Sequence, residues 1–193
     1  MKRICVFCGS SAGEDLRYIE AADRFGTILA QGGIELVYGG SRVGMMGRLA
    51  QATLNAGGRV TGVIPGAVMN RELAHQELTD LRIVKSMHER KSEMAALADG
   101  FVALPGGLGT LEAFCEILTW AQLGLHQKPC GILDVGGFFQ PLIAFLDHMA
   151  QEGFMARNHR DMVLVEEDPD ALVKAMRAYE PPDFPRWIAP SET

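Results

Sequence analysis

The chain has 193 residues, 48% of them hydrophobic and 22% charged, with a formal net charge of −6. That length supports one domain with a full core. The negative balance argues against a nucleic-acid-binding surface, which needs a basic patch, but not against one phosphorylated small molecule, because a single local arginine outweighs a diffuse average. No apolar stretch reaches the length of a membrane span, and Met1-Lys2-Arg3 runs directly into a short strand, so a cytoplasmic location is expected. Four cysteines, Cys5, Cys8, Cys115 and Cys130, sit in apolar runs and read as buried, reduced thiols. Cys5-x-x-Cys8 lies along a strand with no second ligand pair after it, so no metal site is expected.

Taken in order, Ile4 to Cys8 reads as a strand ending at Gly9-Ser10-Ser11, and Glu14 to Ala30 as a helix with an apolar stripe from Leu16 to Leu29. Ile34 to Tyr38 is a second strand, closed by a second glycine-rich run that includes Gly39, Gly40, Gly44 and Gly47. A helix from about Met45 ends at Gly57-Gly58, and Val60 to Ile64 is a third strand stopped by Pro65-Gly66. Ala67 to Asp80 has weak periodicity and reads as a functional loop with one helical turn. Leu81 to Val84, Phe101 to Leu104, Gly131 to Val135 and Met162 to Val165 are further strands. They alternate with helices over Met87 to Leu97, Thr110 to Leu123, Phe138 to Gln151 and Pro169 to Tyr179. Strict alternation predicts an α/β fold: one Rossmann-like domain over 1–180, its parallel sheet covered by helices on both faces. Residues 181–193, with four prolines, read as an extended tail.

The most informative stretch is Pro105-Gly106-Gly107-Leu108-Gly109-Thr110, between an apolar strand and a long helix. A glycine-rich turn of this kind presents backbone N–H groups at the positive end of a helix, which suits a phosphate. The plainer alternative is a tight turn that needs glycine for its backbone angles. In the preceding helix Arg90 falls on the apolar stripe of Met87, Met94 and Leu97, so its guanidinium needs an anionic partner. That partner is either a carboxylate such as Glu112 or Glu116, or a ligand oxygen. Beyond the glycine turn, Glu112, Glu116 and Thr119 form one polar stripe on a helix otherwise apolar nearly all round, a pattern that suits a subunit interface.

Other chemistries lack support. The five histidines show no metal spacing, and there is no nucleophile-elbow motif for a Ser-His-Asp hydrolase. Lys91 has no context for a pyridoxal-phosphate Schiff base. The first strand leads into Cys8-Gly9-Ser10-Ser11-Ala12-Gly13, which lacks the G-x-G-x-x-G spacing of dinucleotide enzymes.

The combination of Met87-His88-Glu89-Arg90-Lys91, Ala98-Asp99-Gly100-Phe101, Pro105 to Thr110, Thr119-Trp120-Ala121-Gln122-Leu123-Gly124 and Lys128-Pro129 resembles the LOG (Lonely Guy) family. Members are cytokinin riboside 5′-monophosphate phosphoribohydrolases, long labelled lysine decarboxylases. The likeness runs from Val6-Phe7-Cys8-Gly9-Ser10 to about His148. It implies a dimeric Rossmann-like enzyme without a cofactor. Such an enzyme cleaves AMP or N6-prenylated AMP to a free base and ribose 5-phosphate. It further implies a phosphate loop of Gly106, Gly107, Leu108, Gly109 and Thr110, continued by Leu111 and Glu112. Arg90 and Lys91, with Met87, would contact substrate, Glu72 would shape the base end, Thr119 would lie along the helix, and Gly9, Ser10, Gly39 and Gly40 would line the cleft. The implied catalytic set is Arg90 with Glu112 and Glu116.

One position departs from the family's Pro-Gly-Gly-x-Gly-Thr-x-x-Glu signature: the last glutamate, given a catalytic role, is Ala113 here. Three explanations stand open. An engineered inactivating substitution is favoured over a naturally impaired member and over takeover by Glu112 or Glu116. The main alternative function is a nucleotide-binding module or carrier with the same loop and no chemistry.

Overall fold

A computed structural model describes residues 1–69 and 74–182. Seven strands form one parallel sheet: β1 (Arg3–Phe7), β2 (Glu35–Tyr38), β3 (Val60–Pro65), β4 (Asp80–Val84), β5 (Gly100–Ala103), β6 (Cys130–Leu133) and β7 (Val163–Glu166), in the spatial order β4-β3-β2-β1-β5-β6-β7. The inner strands are short, almost wholly apolar runs, as expected where both faces of a parallel sheet are covered. β4 lies at the edge and reads differently: Asp80 and Arg82 alternate with apolar residues, and Ile83 is 60% exposed.

The two-residue period of a strand sorts the core into two layers. Ile4 and Val6 face a cluster built from α1 (Leu16–Gln31), α2 (Gly44–Asn55) and α7 (Pro169–Arg177), including Phe25, Leu49 and Leu172. Cys5 and Phe7 face the opposite layer, with Met94 of α3 (Met87–Leu97), Phe114 and Ile117 of α4 (Leu108–Gln122), and Leu142 and Ile143 of α5 (Gln140–Gln151). Cys5 and Cys8 therefore belong to different layers. Among the described residues no group of three His, Cys, Asp or Glu side chains is placed to hold one, and no helix is long and apolar enough to cross a membrane.

The expected fold class and element order hold, and the differences are local. α4 starts at Leu108, two residues inside the glycine run, because Gly107 takes an extended cap conformation and helical geometry follows at once. The expected loop after β3 contains a short 3₁₀ turn, Gly66–Val68, and an isolated bridge from Ala74 to Ser41. One four-residue helix, α6 (Arg157–Arg160), was not anticipated, being too short to show a period. Cys5, Cys8 and Cys130 are buried as expected, but Cys115 is exposed on the outer side of α4, so the expectation of four buried thiols is corrected. Pro181 and Pro182 lie outside helix and strand, and the rest of the anticipated tail is outside the described residues.

Two partly or fully buried histidines are built into this frame. His126 Nδ1 accepts the Lys128 N–H (3.1 Å) and Nε2 lies 3.0 Å from Ile117 O, an arrangement that fits the neutral Nε2–H tautomer. His75 Nδ1 accepts from Glu77 N (3.3 Å). Burial pushes both below the ordinary histidine value; Arg42 adds to this at His75 and Lys128 at His126, against weaker opposing effects. Below the unfolded value the denatured chain binds protons that the native chain does not, so stability falls as pH drops. The expected loss is up to about 1.4 kcal/mol per pH unit for each histidine, beginning near pH ~6.5. Urea midpoints between pH ~7.5 and ~5.5, above the range where carboxylates titrate, check this; a constant midpoint would contradict it.

Candidate active site

The chain order of the sheet reverses between β1 and β5: β1 is followed by β2 on one side, and β5 lies on the other. Helices leaving neighbouring strands to opposite faces open a crevice at their carboxyl ends. Here the loops after the two strands are tied across it, with Leu104 N donating to Phe7 O (2.9 Å) and Gly9 N to Pro105 O (3.0 Å). Gly106 lies against this contact. A Cβ on it would collide with Thr110 Oγ1 and come within 2.8 Å of Gly9 N, so glycine is required there for close approach.

The two glycine-rich helix starts are used differently. At α2, Met45 N donates to Ser11 O (3.4 Å) and Met46 N to Gly9 O (3.2 Å), so these amides brace the β1 loop. At α4, Thr110 N and Leu111 N both donate to Gly107 O at 3.1 Å, while the N–H groups of Gly107, Leu108 and Gly109 find no acceptor among the described residues. Gly107, Leu108, Gly109 and Thr110 line the crevice. The first turn of α4 thus meets it with open amides at the positive end of a fifteen-residue helix.

α3 brings two buried cations to the same place, Arg90 and Lys91, each 8% exposed. Arg90 Nε donates to Val63 O (3.0 Å) and Nη2 to Gly39 O (2.5 Å), tying it to the ends of β3 and β2, and Nη1 lies 3.7 Å from Met87 Sδ. A side chain at position 39 would run into Nη2. The carboxylates offered to Arg90 as partners go instead to its neighbour: Lys91 Nζ bonds Glu112 Oε1 (2.5 Å) and forms an ion pair with Glu116 Oε2 (3.0 Å). The latter contact lies outside hydrogen-bonding geometry, leaving the buried Glu116 Oε2 without a donor. Burial pulls the Lys91 ammonium down, but the two glutamates outweigh it and hold the group above the ordinary lysine value.

These elements enclose a cleft of about 360 Å³. It gathers Gly9, Ser10, Gly39, Met87, Arg90, Lys91, Gly107, Leu108, Gly109, Thr110, Glu112 and Ala113 from the expected residues. Sequence reasoning missed its apolar walls: Val6, Phe7 and Cys8 at the end of β1, Met46, and Met94 one turn beyond Arg90. Burial pushes the Cys8 thiol up to about 12, so it acts here as a small apolar surface. Gly106 and Gly40 stand behind the lining: Gly106 packs on Gly9, and Gly40 O accepts from His75 N (2.9 Å). Glu116 sits behind Lys91. Leu111 and Thr119 lie on the outer side of α4, where Thr119 Oγ1 donates to Cys115 O (2.8 Å). Glu72 falls outside the described residues.

Comparison with known proteins gives these features a context. Residues 46–176 match the family model described as possible lysine decarboxylase. The chain is 47% identical over 180 residues, 93% of its length and 84% of the relative's, to a cytokinin riboside 5′-monophosphate phosphoribohydrolase of Arabidopsis thaliana. It is 46% identical over 93% of its length to one from Oryza sativa subsp. japonica, covering 74% of that protein. Among solved structures, the molybdenum cofactor binding protein of Rippkaea orientalis and the molybdenum cofactor carrier protein of Chlamydomonas reinhardtii each superpose with a TM-score of 0.70. Their identities are 21% and 22%; each match covers 92% of this chain, and 97% and 99% of theirs, and it shows a shared fold.

The lysine clamp has a measurable consequence. Lys91→Met leaves Glu116 Oε2 buried without its cation and is expected to cost about 1–2 kcal/mol. Glu112→Gln touches a carboxylate that is 58% exposed and is expected to cost under about 0.5 kcal/mol. Urea denaturation of both variants checks this ordering; equal losses would show that Glu116 does not depend on Lys91.

Proposed function

The chain belongs to the LOG family of cytokinin riboside 5′-monophosphate phosphoribohydrolases, and from that membership we propose that it hydrolyses the N-glycosidic bond of AMP or N6-prenylated AMP, releasing free base and ribose 5-phosphate. The observation that carries this reading is the presence, in one cleft, of open α4 amides together with apolar walls of Phe7, Met46 and Met94. The first suits a 5′-phosphate and the second a purine. The ribose then lies between them, beside Arg90 and the Lys91–Glu112 pair.

Cleaving a glycosidic bond builds oxocarbenium character on the sugar, which a nearby carboxylate stabilises while it orients or activates water. In this chain Glu112 is the carboxylate on the cleft wall. Glu116 positions Lys91, and Arg90 stabilises charge as the base departs. Ala113 also lines the cleft and is 7% exposed, so a longer side chain there would enter it. The alanine removes one carboxylate from the reaction, and it supports a second reading in which the chain binds nucleotide with little or no turnover.

Pyridoxal chemistry does not fit these residues. A Schiff base needs a neutral amine, and Lys91 is held as an ammonium between two carboxylates. Lys128, the other partly buried lysine named above, donates to Ala95 O (2.8 Å) away from the cleft. The decarboxylase wording of the family model therefore has no support in the site.

We further propose a homodimer formed through α4, whose outer side presents Leu108 (84% exposed) and Leu111 (36%) in line with Cys115. A reducing, cytoplasmic setting suits the four free cysteines.

Incubation with AMP, isopentenyladenosine monophosphate and the matching nucleosides, with free base as readout, tests the reaction. Monophosphates are expected to exceed nucleosides by at least about 100-fold in kcat/KM, because phosphate anchoring is remote binding energy spent on orientation. Nucleosides cleaved equally fast would exclude the anchor. Ala113→Glu is expected to raise kcat by about 10- to 1,000-fold; an unchanged kcat would mean that this position does not limit the chain.

A further inference from the structure

Of the ten methionines, Met87 is the most exposed, at 47%; Met45, Met46, Met94, Met162 and Met176 are at most 9% exposed. Met87 also lines the nucleotide cleft, and its Sδ lies 3.7 Å from Arg90 Nη1, a weak N–H···S contact made one turn along α3. Accessibility, cleft position and contact with the site's buried guanidinium therefore coincide in one oxidisable side chain.

We propose that Met87 is an oxidative modification site, converted by peroxide-class oxidants to the sulfoxide, and that this modification weakens nucleotide binding. The sulfur lone pair attacks one oxygen of hydrogen peroxide. The O–O bond breaks, the S=O bond forms, and the second oxygen leaves as water with both hydrogens, so sulfur loses two electrons and peroxide gains them. The product is polar, larger, and carries a strong acceptor where the thioether offered a weak one. Arg90 Nη1 is already within reach, so the sulfoxide oxygen competes with substrate for the guanidinium and puts a polar group on an apolar wall. Methionine sulfoxide reductases reverse the change, making the site a reversible switch.

The effects on AMP binding and on turnover rest on the nucleotide-site reading above; the oxidation of Met87 itself does not. The test uses the full chain carrying Cys115→Ser, which removes the exposed thiol as a competing target. Under limiting hydrogen peroxide, peptide mass spectrometry is expected to find one added oxygen on Met87 before any other methionine. The Kd for AMP, measured by calorimetry, is expected to rise about tenfold, with kcat/KM falling in step and methionine sulfoxide reductase restoring both. Met87→Leu in the same background, compared with its own untreated sample, is expected to keep its AMP affinity under the same dose. Earlier oxidation of another residue, unchanged AMP affinity after Met87 oxidation, or an equal loss in the Met87→Leu chain would each overturn the proposal. Absence of base release from untreated protein would count against the hydrolase reading alone, since the mass and affinity measurements still judge the site.

Discussion

The contact between the loops after β1 and β5, anchored by the Gly9 N–H to Pro105 O hydrogen bond, is the constraint on which the site depends. At a reversal of strand order, consecutive connections depart to opposite faces, and the loops would ordinarily diverge. Here glycine packs on glycine, Gly106 against Gly9, and no side chain intervenes. This closeness brings the first turn of α4 down onto the end of β1, so that its unpaired amides face a cleft rather than bulk water. The same β1 loop occupies the amides at the start of α2. Two similar glycine-rich helix starts thus end differently: one braces the loop, and the other stays open toward the cleft.

A second constraint follows from α3, which is polar for a helix packed against a sheet. Its buried residues are Arg90, Lys91 and Met94, and only the last is apolar. Hydrophobic burial alone therefore does not seat this helix. Its start is fixed by a reciprocal cap, with Ser86 Oγ accepting Glu89 N (3.1 Å) and Glu89 Oε2 accepting Lys85 N (2.7 Å). Its middle is fixed by charge: Arg90 to carbonyls at the ends of β2 and β3, Lys91 to acids on α4. Buried ionic groups are costly unless fully satisfied, but they specify position more sharply than apolar contacts do. The cations that line the cleft also hold together the elements that form it.

Much of this was legible in the sequence because it rests on local rules. Apolar runs of four to six residues, glycine or proline stops, and a helical period between them locate the inner strands, and the turn before α4 is visible from its glycines and the helix that follows. What escaped depends on angles between elements. Whether Arg90 or Lys91 meets the α4 glutamates is decided by about 100° of rotation around α3, which no spacing in the chain records; of the two kinds of partner left open for Arg90, a carboxylate or a ligand oxygen, the α4 carboxylates go to Lys91. The apolar walls of the cleft come from β1, α2 and α3, close only in the folded chain. Cys115 sits in an apolar run yet faces outward, because α4 is apolar on more sides than one domain can cover. Gly107 as the cap of α4 depends on its backbone conformation, which the string of glycines leaves open.

Position 113 shows that binding and cleavage need not share a structural basis. The open amides, the Lys91 clamp and the apolar walls involve backbone and side chains that alanine leaves undisturbed, and Ala113 itself packs into the core layer with Phe114 and Ile117. The open amides of α4 and the Lys91–Glu112 bond do not involve the side chain at 113. Nor does Glu112 duplicate a carboxylate there. One residue earlier on the helix, it is turned about 100° away, is 58% exposed, and spends Oε1 on Lys91. A carboxylate already paired with an ammonium is a weaker stabiliser of new positive charge than one aimed at the sugar alone. The geometry therefore separates two properties that a glutamate at 113 would combine: the open amides and the Lys91 clamp do not involve this position, while the remaining cleft carboxylate, Glu112, is also part of the scaffold.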